Sequence, residues 1–65
     1  MTPREQEVLT LLADGASNQA IADALFITPN TAKRHVKHIL GKLDATNRIQ
    51  AVLRARELHV LSLHP

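Results

Sequence analysis

Cysteine, tyrosine and tryptophan are all missing from the 65-residue chain, and Phe26 is its single aromatic residue. Without cysteine there is neither a disulfide framework nor a thiolate zinc site, and the chain suits a reducing compartment. A core with one aromatic must be assembled from Leu, Ile, Val and Ala, a composition that favours helices over strands. Gly15 and Gly41 are the only glycines, so no flexible linker or low-complexity tract divides the chain. No apolar run approaches the roughly 18 residues that span a bilayer, and the N-terminus lacks the charged-then-apolar order of a signal peptide. The expectation is one soluble, cytoplasmic domain over residues 1–65. It is too small for a large enzyme and is held together by helix packing alone.

The helix boundaries are written in local capping signals. Thr2-Pro3-Arg4-Glu5 has the form of a capping box, with a hydroxyl at the N-cap, proline in the first turn and Glu three residues after the cap. Val8, Leu9, Leu11 and Leu12 then form one apolar face, and Asp14-Gly15 supplies a stop, so a first helix is predicted over about 3–13. Ser17 or Asn18 caps a short second helix, about 18–25, carrying Ile21, Ala22 and Leu25. Thr28-Pro29 restarts a helix predicted over 29–43 after a turn of about four residues. Asp44-Ala45-Thr46-Asn47 provides the turn and caps before a fourth helix over 48–58. Val60 to Pro65 is expected to form a partly ordered tail.

The formal net charge is only +2, which by itself discriminates little, but its distribution is uneven. No acidic residue lies between Asp23 and Asp44, whereas Lys33, Arg34, Lys37, Lys42, His35 and His38 all do. At about 100° per residue, Ala32, Val36, Ile39, Leu40 and Leu43 share one stripe of the third helix and form its core face. Asn30, Lys33, Arg34 and Lys37 share a neighbouring face. Solubility alone accounts for an ordinary basic surface helix, but such a helix usually carries acidic partners one turn away, and here they are absent. The helix also follows a short helix and a tight turn. Its first turn holds Thr28, Asn30 and Thr31, small polar groups suited to phosphate oxygens at a helix N-terminus. Lys33, Arg34 and Lys37, at i, i+1 and i+4, have the spacing needed to reach base edges in a major groove, while their charge releases counterions from phosphates. The pattern is that of a recognition helix.

Taken in order, Thr2-Pro3-Arg4-Glu5, Glu7-Val8-Leu9, Gly15 to Ala22, Leu25-Phe26-Ile27-Thr28, Thr31 to Val36, Ile39 to Leu43 and Asn47 to Val52 resemble the LuxR-type (GerE-like) helix-turn-helix domain over about residues 2 to 61. The resemblance implies an all-α, compact four-helix fold without a wing, with helices 2 and 3 as the helix-turn-helix. It implies sequence-specific binding to double-stranded DNA for transcription regulation, with Lys33, Arg34 and Lys37 base-facing. Thr28, Asn30, Thr31, Lys42 and Asn18 fall near the sugar-phosphate backbone. His35 either joins that backbone set or packs at the helix flank. A homodimer on a roughly palindromic operator, weak in the isolated fragment, is implied through helix 4, with Ile49, Val52, Leu53 and Arg56 at its interface. Such domains sit behind an N-terminal sensor: a receiver, a small-molecule-binding domain or a large nucleotide-binding regulator. The stretches Ile39 to Leu43 and Arg54 to Leu58 look somewhat like members of the last group. The chain departs from the family pattern at Ala16, Ala20, Ala32 and Asp44, where a larger apolar residue, a polar residue, valine and glycine are usual.

Rival readings stay thin or partial. His35 and His38, three residues apart, lack the nearby Cys, Asp or Glu that would complete a zinc site. Serines and threonines at caps need no catalytic explanation. No cofactor, metal or enzyme activity is expected. A helical protein-interaction module is the alternative, because Ile49, Val52 and Leu53 lie on one side of helix 4 and Ala51, Ala55 and Leu58 on another. One side packs on helix 1, and the other is either buried as well or a partner surface. Glu5 is expected to cap the first helix or to pair with Arg48.

Overall fold

Four helices, each opened by a side-chain cap, make up the computed structural model, which describes residues 1–58. The Thr2 hydroxyl accepts from the Glu5 amide at 3.2 Å, and the Glu5 carboxylate accepts from the Thr2 amide at 3.0 Å. The capping box therefore starts α1, Pro3–Ala13, which ends at Asp14 with Gly15 in the left-handed region at φ 85. Ser17, rather than Asn18, caps α2, Asn18–Leu25, accepting from the Ala20 amide at 3.1 Å. Thr28 caps α3, Pro29–Lys42, and Asn47 caps α4, Arg48–Glu57. These four caps satisfy amide donors that helix starts otherwise leave unpaired.

The two later helices each stop one residue before the expected 43 and 58. Leu43 turns out of α3 at φ −95, and Asp44 follows at φ 52, in the left-handed region where the family pattern has glycine. Arg54 supports this corner from α4, its Nε donating to the Leu43 carbonyl at 3.1 Å and its Nη2 lying 3.5 Å from Asp44 Oδ2. A cation at a helix C-terminus is favoured by the helix dipole. The expected tail, Val60 to Pro65, lies outside the described residues.

The core gathers Val8, Leu9 and Leu12 of α1, Ile21 and Ala22 of α2, Ala32, Val36 and Ile39 of α3, Leu43, and Ala51 and Ala55 of α4. α1 and α3 each pack against the other three helices, whereas the backbones of α2 and α4 do not approach each other closely. Buried alanines on α2, α3 and α4 have little side chain to keep neighbouring backbones apart. Leu40, expected in the core, is only half-buried at its edge, and Leu58 is exposed rather than grouped with Ala51 and Ala55. No strand occurs among the described residues, and none of their helices is long and apolar enough to cross a membrane.

Phe26 ends α2 at φ 57 and ψ 45 with its ring 94% exposed. An L side chain in this region costs roughly 1 kcal/mol, and a solvated ring returns no packing energy. Replacing Phe26 with Asn, which tolerates the left-handed region, is expected to stabilise the domain by about 0.5–1 kcal/mol. Urea titration reads this as a higher midpoint at unchanged slope. A lower midpoint would mean that the ring makes a stabilising contact.

Candidate nucleic-acid interface

α3 divides cleanly into an inner and an outer side. Ala32, Val36 and Ile39 face the core, while Asn30, Lys33, Arg34, Lys37 and His38 are exposed, and Thr31 and His35 are half-buried between them. Among the described residues, Lys33, Arg34 and Lys37 make no ion pair or side-chain hydrogen bond. Their charges are solvated and available. At the head of the helix the Thr28 and Thr31 hydroxyls are 2.8 Å apart, and Thr28 also accepts from the Thr31 amide at 3.1 Å. One of these hydroxyls supplies the proton of their mutual bond. The turn before them, Phe26 and Ile27, is tied back by the Ile27 amide donating to the Ala22 carbonyl at 3.0 Å. A rigid turn fixes the angle at which α3 stands beside α2.

Two of the expected backbone-contact residues are engaged within the domain. Lys42 Nζ donates to Glu5 Oε1 at 2.7 Å, while its side chain stays about half exposed. Asn18 Oδ1 accepts from Arg48 Nη2. Glu5 thus pairs with Lys42 and not with Arg48, and it keeps its capping role as well. Sequence reasoning missed both contacts. The partners lie 37 and 30 residues apart, beyond any periodicity signal.

Glu5 is buried, and the Lys42 ammonium, followed by the Thr2 amide, lowers its pKa from the ordinary 4.5 to about 2. Between these values the unfolded chain binds the proton and the folded chain does not, so stability rises with pH. The contribution is fully present above about pH 4.5 and is lost as pH falls towards 2. Glu5→Gln is expected to lower the Tm near neutrality and to flatten its dependence on pH across that window. Thermal melts of both proteins from pH 6 to 2 check this, and parallel curves would remove Glu5 as the origin.

A second surface lies on α4. Ile49 is 75% and Leu53 53% exposed, Val52 is half-buried, and Arg56 is exposed. With Leu12 and Ala16 these four residues line an open cleft of about 400 Å³. Ala16 is one of the departures from the family pattern, and its small side chain leaves room on that wall. Among the described residues, no group of three or more His, Asp or Glu side chains is placed to hold a metal ion.

A capped two-turn helix, a tied-down turn and a third helix with a free basic face together form a helix-turn-helix domain of the kind found in transcription regulators. The chain belongs to the luxR family of bacterial regulatory proteins, whose family model matches residues 1–55, and is a DNA-binding domain of that family. It is 44% identical over 62 residues to the transcriptional regulatory protein LiaR of Bacillus subtilis (strain 168), covering 95% of this chain and 29% of LiaR. It is 53% identical over 55 residues to the response regulator protein VraR of Staphylococcus aureus (strain Mu3 / ATCC 700698), covering 85% of this chain and 26% of VraR. The structure of the transcription factor GerE superposes with a TM-score of 0.88 at 34% identity, covering 98% of this chain and 96% of that one. The chain therefore spans less than a third of these two curated relatives and nearly all of GerE.

Proposed function

We propose that the domain reads double-stranded DNA with α3 in the major groove. Lys33, Arg34 and Lys37 face the bases, and Thr28, Asn30, Thr31, His35, Asn18 and the exposed part of Lys42 approach the sugar-phosphate backbone. The reading rests above all on the free basic face of α3, whose three cations have no partner among the described residues. Charges left unpaired on a rigid helix are available to neutralise phosphates and to donate to base edges.

The exposed apolar residues of α4 support pairing of two copies through Ile49, Val52, Leu53 and Arg56. A symmetric pair matches a roughly palindromic operator with half-sites about 34 Å apart. The domain works inside the cytoplasm as the output part of a longer regulator, behind an N-terminal sensor such as the receiver of a response regulator. Pairing of the isolated domain is weak, because that sensor sets the dimer. The same α4 patch favours a second reading, a helical module for protein interaction, which leaves the basic face without a purpose.

The test is a salt titration of affinity for random duplex and for sites selected from a randomised pool. A steep salt slope, with a selected palindrome bound far more tightly than random duplex, is the expected result. Absence of duplex binding at low salt and high protein concentration would overturn the reading and turn attention to α4 as a protein-binding surface.

A further inference from the structure

Arg48 opens α4, yet its guanidinium leaves that helix and reaches the start of α2. Nη1 donates to the Ala16 carbonyl at 3.0 Å, and Nη2 donates to Asn18 Oδ1. Because the backbones of α2 and α4 do not approach each other closely, this half-buried side chain is a strut between them. Its chemistry fixes more than distance. A guanidinium has donors only, so it meets the oxygen of the Asn18 amide and repels the NH₂ end. The amide is thereby held in one of its two orientations, with both Nδ2 protons directed away from Arg48. Ser17 already caps α2, so Asn18 is not required for the cap. Its Nδ2 has no partner among the described residues.

We propose that Arg48 is a positioning residue for DNA binding, which holds the Asn18 amide with its NH₂ group outward so that it donates to a backbone phosphate. The inference rests on the DNA-reading function above and adds a residue from outside the helix-turn-helix to it. An amide locked before binding loses little rotamer freedom on contact, which lowers the entropy cost of the contact. Arg48 acts through Asn18, because the bonds its guanidinium makes run to Ala16 and Asn18 within the domain.

The experiment is a double-mutant cycle in affinity for the selected duplex, using Asn18→Ala, Arg48→Lys and the double variant, each checked for folding by circular dichroism. Both single variants are expected to bind about three- to tenfold more weakly, the net worth of one ordinary hydrogen bond. The double variant is expected to bind no more weakly than the poorer single one. Losses that multiply would make the two residues independent and overturn the proposal. So would an Arg48→Lys variant that melts earlier but binds as tightly as the parent. The unmodified protein supplies a further readout, in which the Asn18 side-chain NH₂ resonances shift when duplex is added. Unshifted resonances under saturating duplex would overturn the proposal even if an Arg48 variant fails to fold. Failure of the parent itself to bind any duplex would instead overturn the DNA-reading function on which this inference stands.

Discussion

Ile39→Ala is expected to lose about 2–5 kcal/mol of stability, a large share of the total. A chain of this length has roughly 3–10 kcal/mol in all. Ile39 is fully buried on α3, which packs against α1, α2 and α4. Truncation removes apolar contact and leaves a cavity that close-packed neighbours fill only in part. Alanine's better helix propensity returns a few tenths of a kcal/mol at most. Ile49→Ala is the paired control. Ile49 has the same side chain on a helix but is 75% exposed, so its truncation should change stability by less than about 0.5 kcal/mol. Urea titrations followed at 222 nm separate the two. Equal losses at both positions would contradict the burial of Ile39 in the core.

Arg34→Ala carries the second large effect, on binding. If Arg34 reads a base, its removal weakens the selected site by about 1–3 kcal/mol, or roughly 5- to 150-fold, and random duplex much less. Lys33→Ala should behave in the same way. Uniform weakening on every sequence, together with a salt slope smaller by about one, would reassign the residue to phosphate. Neither substitution should cost stability beyond about 0.5 kcal/mol, because both side chains are exposed and unpartnered. Binding isotherms on the selected and random duplexes, with urea midpoints for each variant, make the comparison complete.

How legible the fold was depends on the range of the interaction. Thr2, Ser17, Thr28 and Asn47 cap helices through bonds to amides three residues away, so the signal and its consequence sit in the same short window. The first two helices begin and end where their caps and apolar spacing place them. The inner face of α3 followed from periodicity alone for Ala32, Val36 and Ile39, as did the burial of Leu43 just past its end. Leu40 fell at the edge because a stripe on a wheel has no information about how wide the partner surface is. The end of α3 was one residue early for a related reason. Asp44 takes a backbone conformation usual for glycine, and its corner is secured by Arg54 from another helix.

The candidate site divides in the same way. That α3 carries Lys33, Arg34 and Lys37 away from its core face is a matter of helical geometry, since residues one, three and four apart have fixed angular relations on any helix. Whether those cations were free was not. Lys42 has the same charge and lies on the same helix, but the fold brings Glu5 to it across 37 positions of sequence and ties it down. The two faces of α4 likewise looked equivalent as strings of apolar residues. Packing chose Ala51 and Ala55 for the interior and left Ile49 and Leu53 at the surface.

The sequence by itself determined the four helices, their caps and the basic outer side of α3, because hydrogen bonds to nearby amides and the helical repeat act over a few residues. Only the tertiary structure decided that Glu5 holds Lys42, that Arg48 holds Asn18 and which side of α4 meets solvent. Those outcomes depend on which helices come within a side chain's reach, and that distance is set by packing of the whole core.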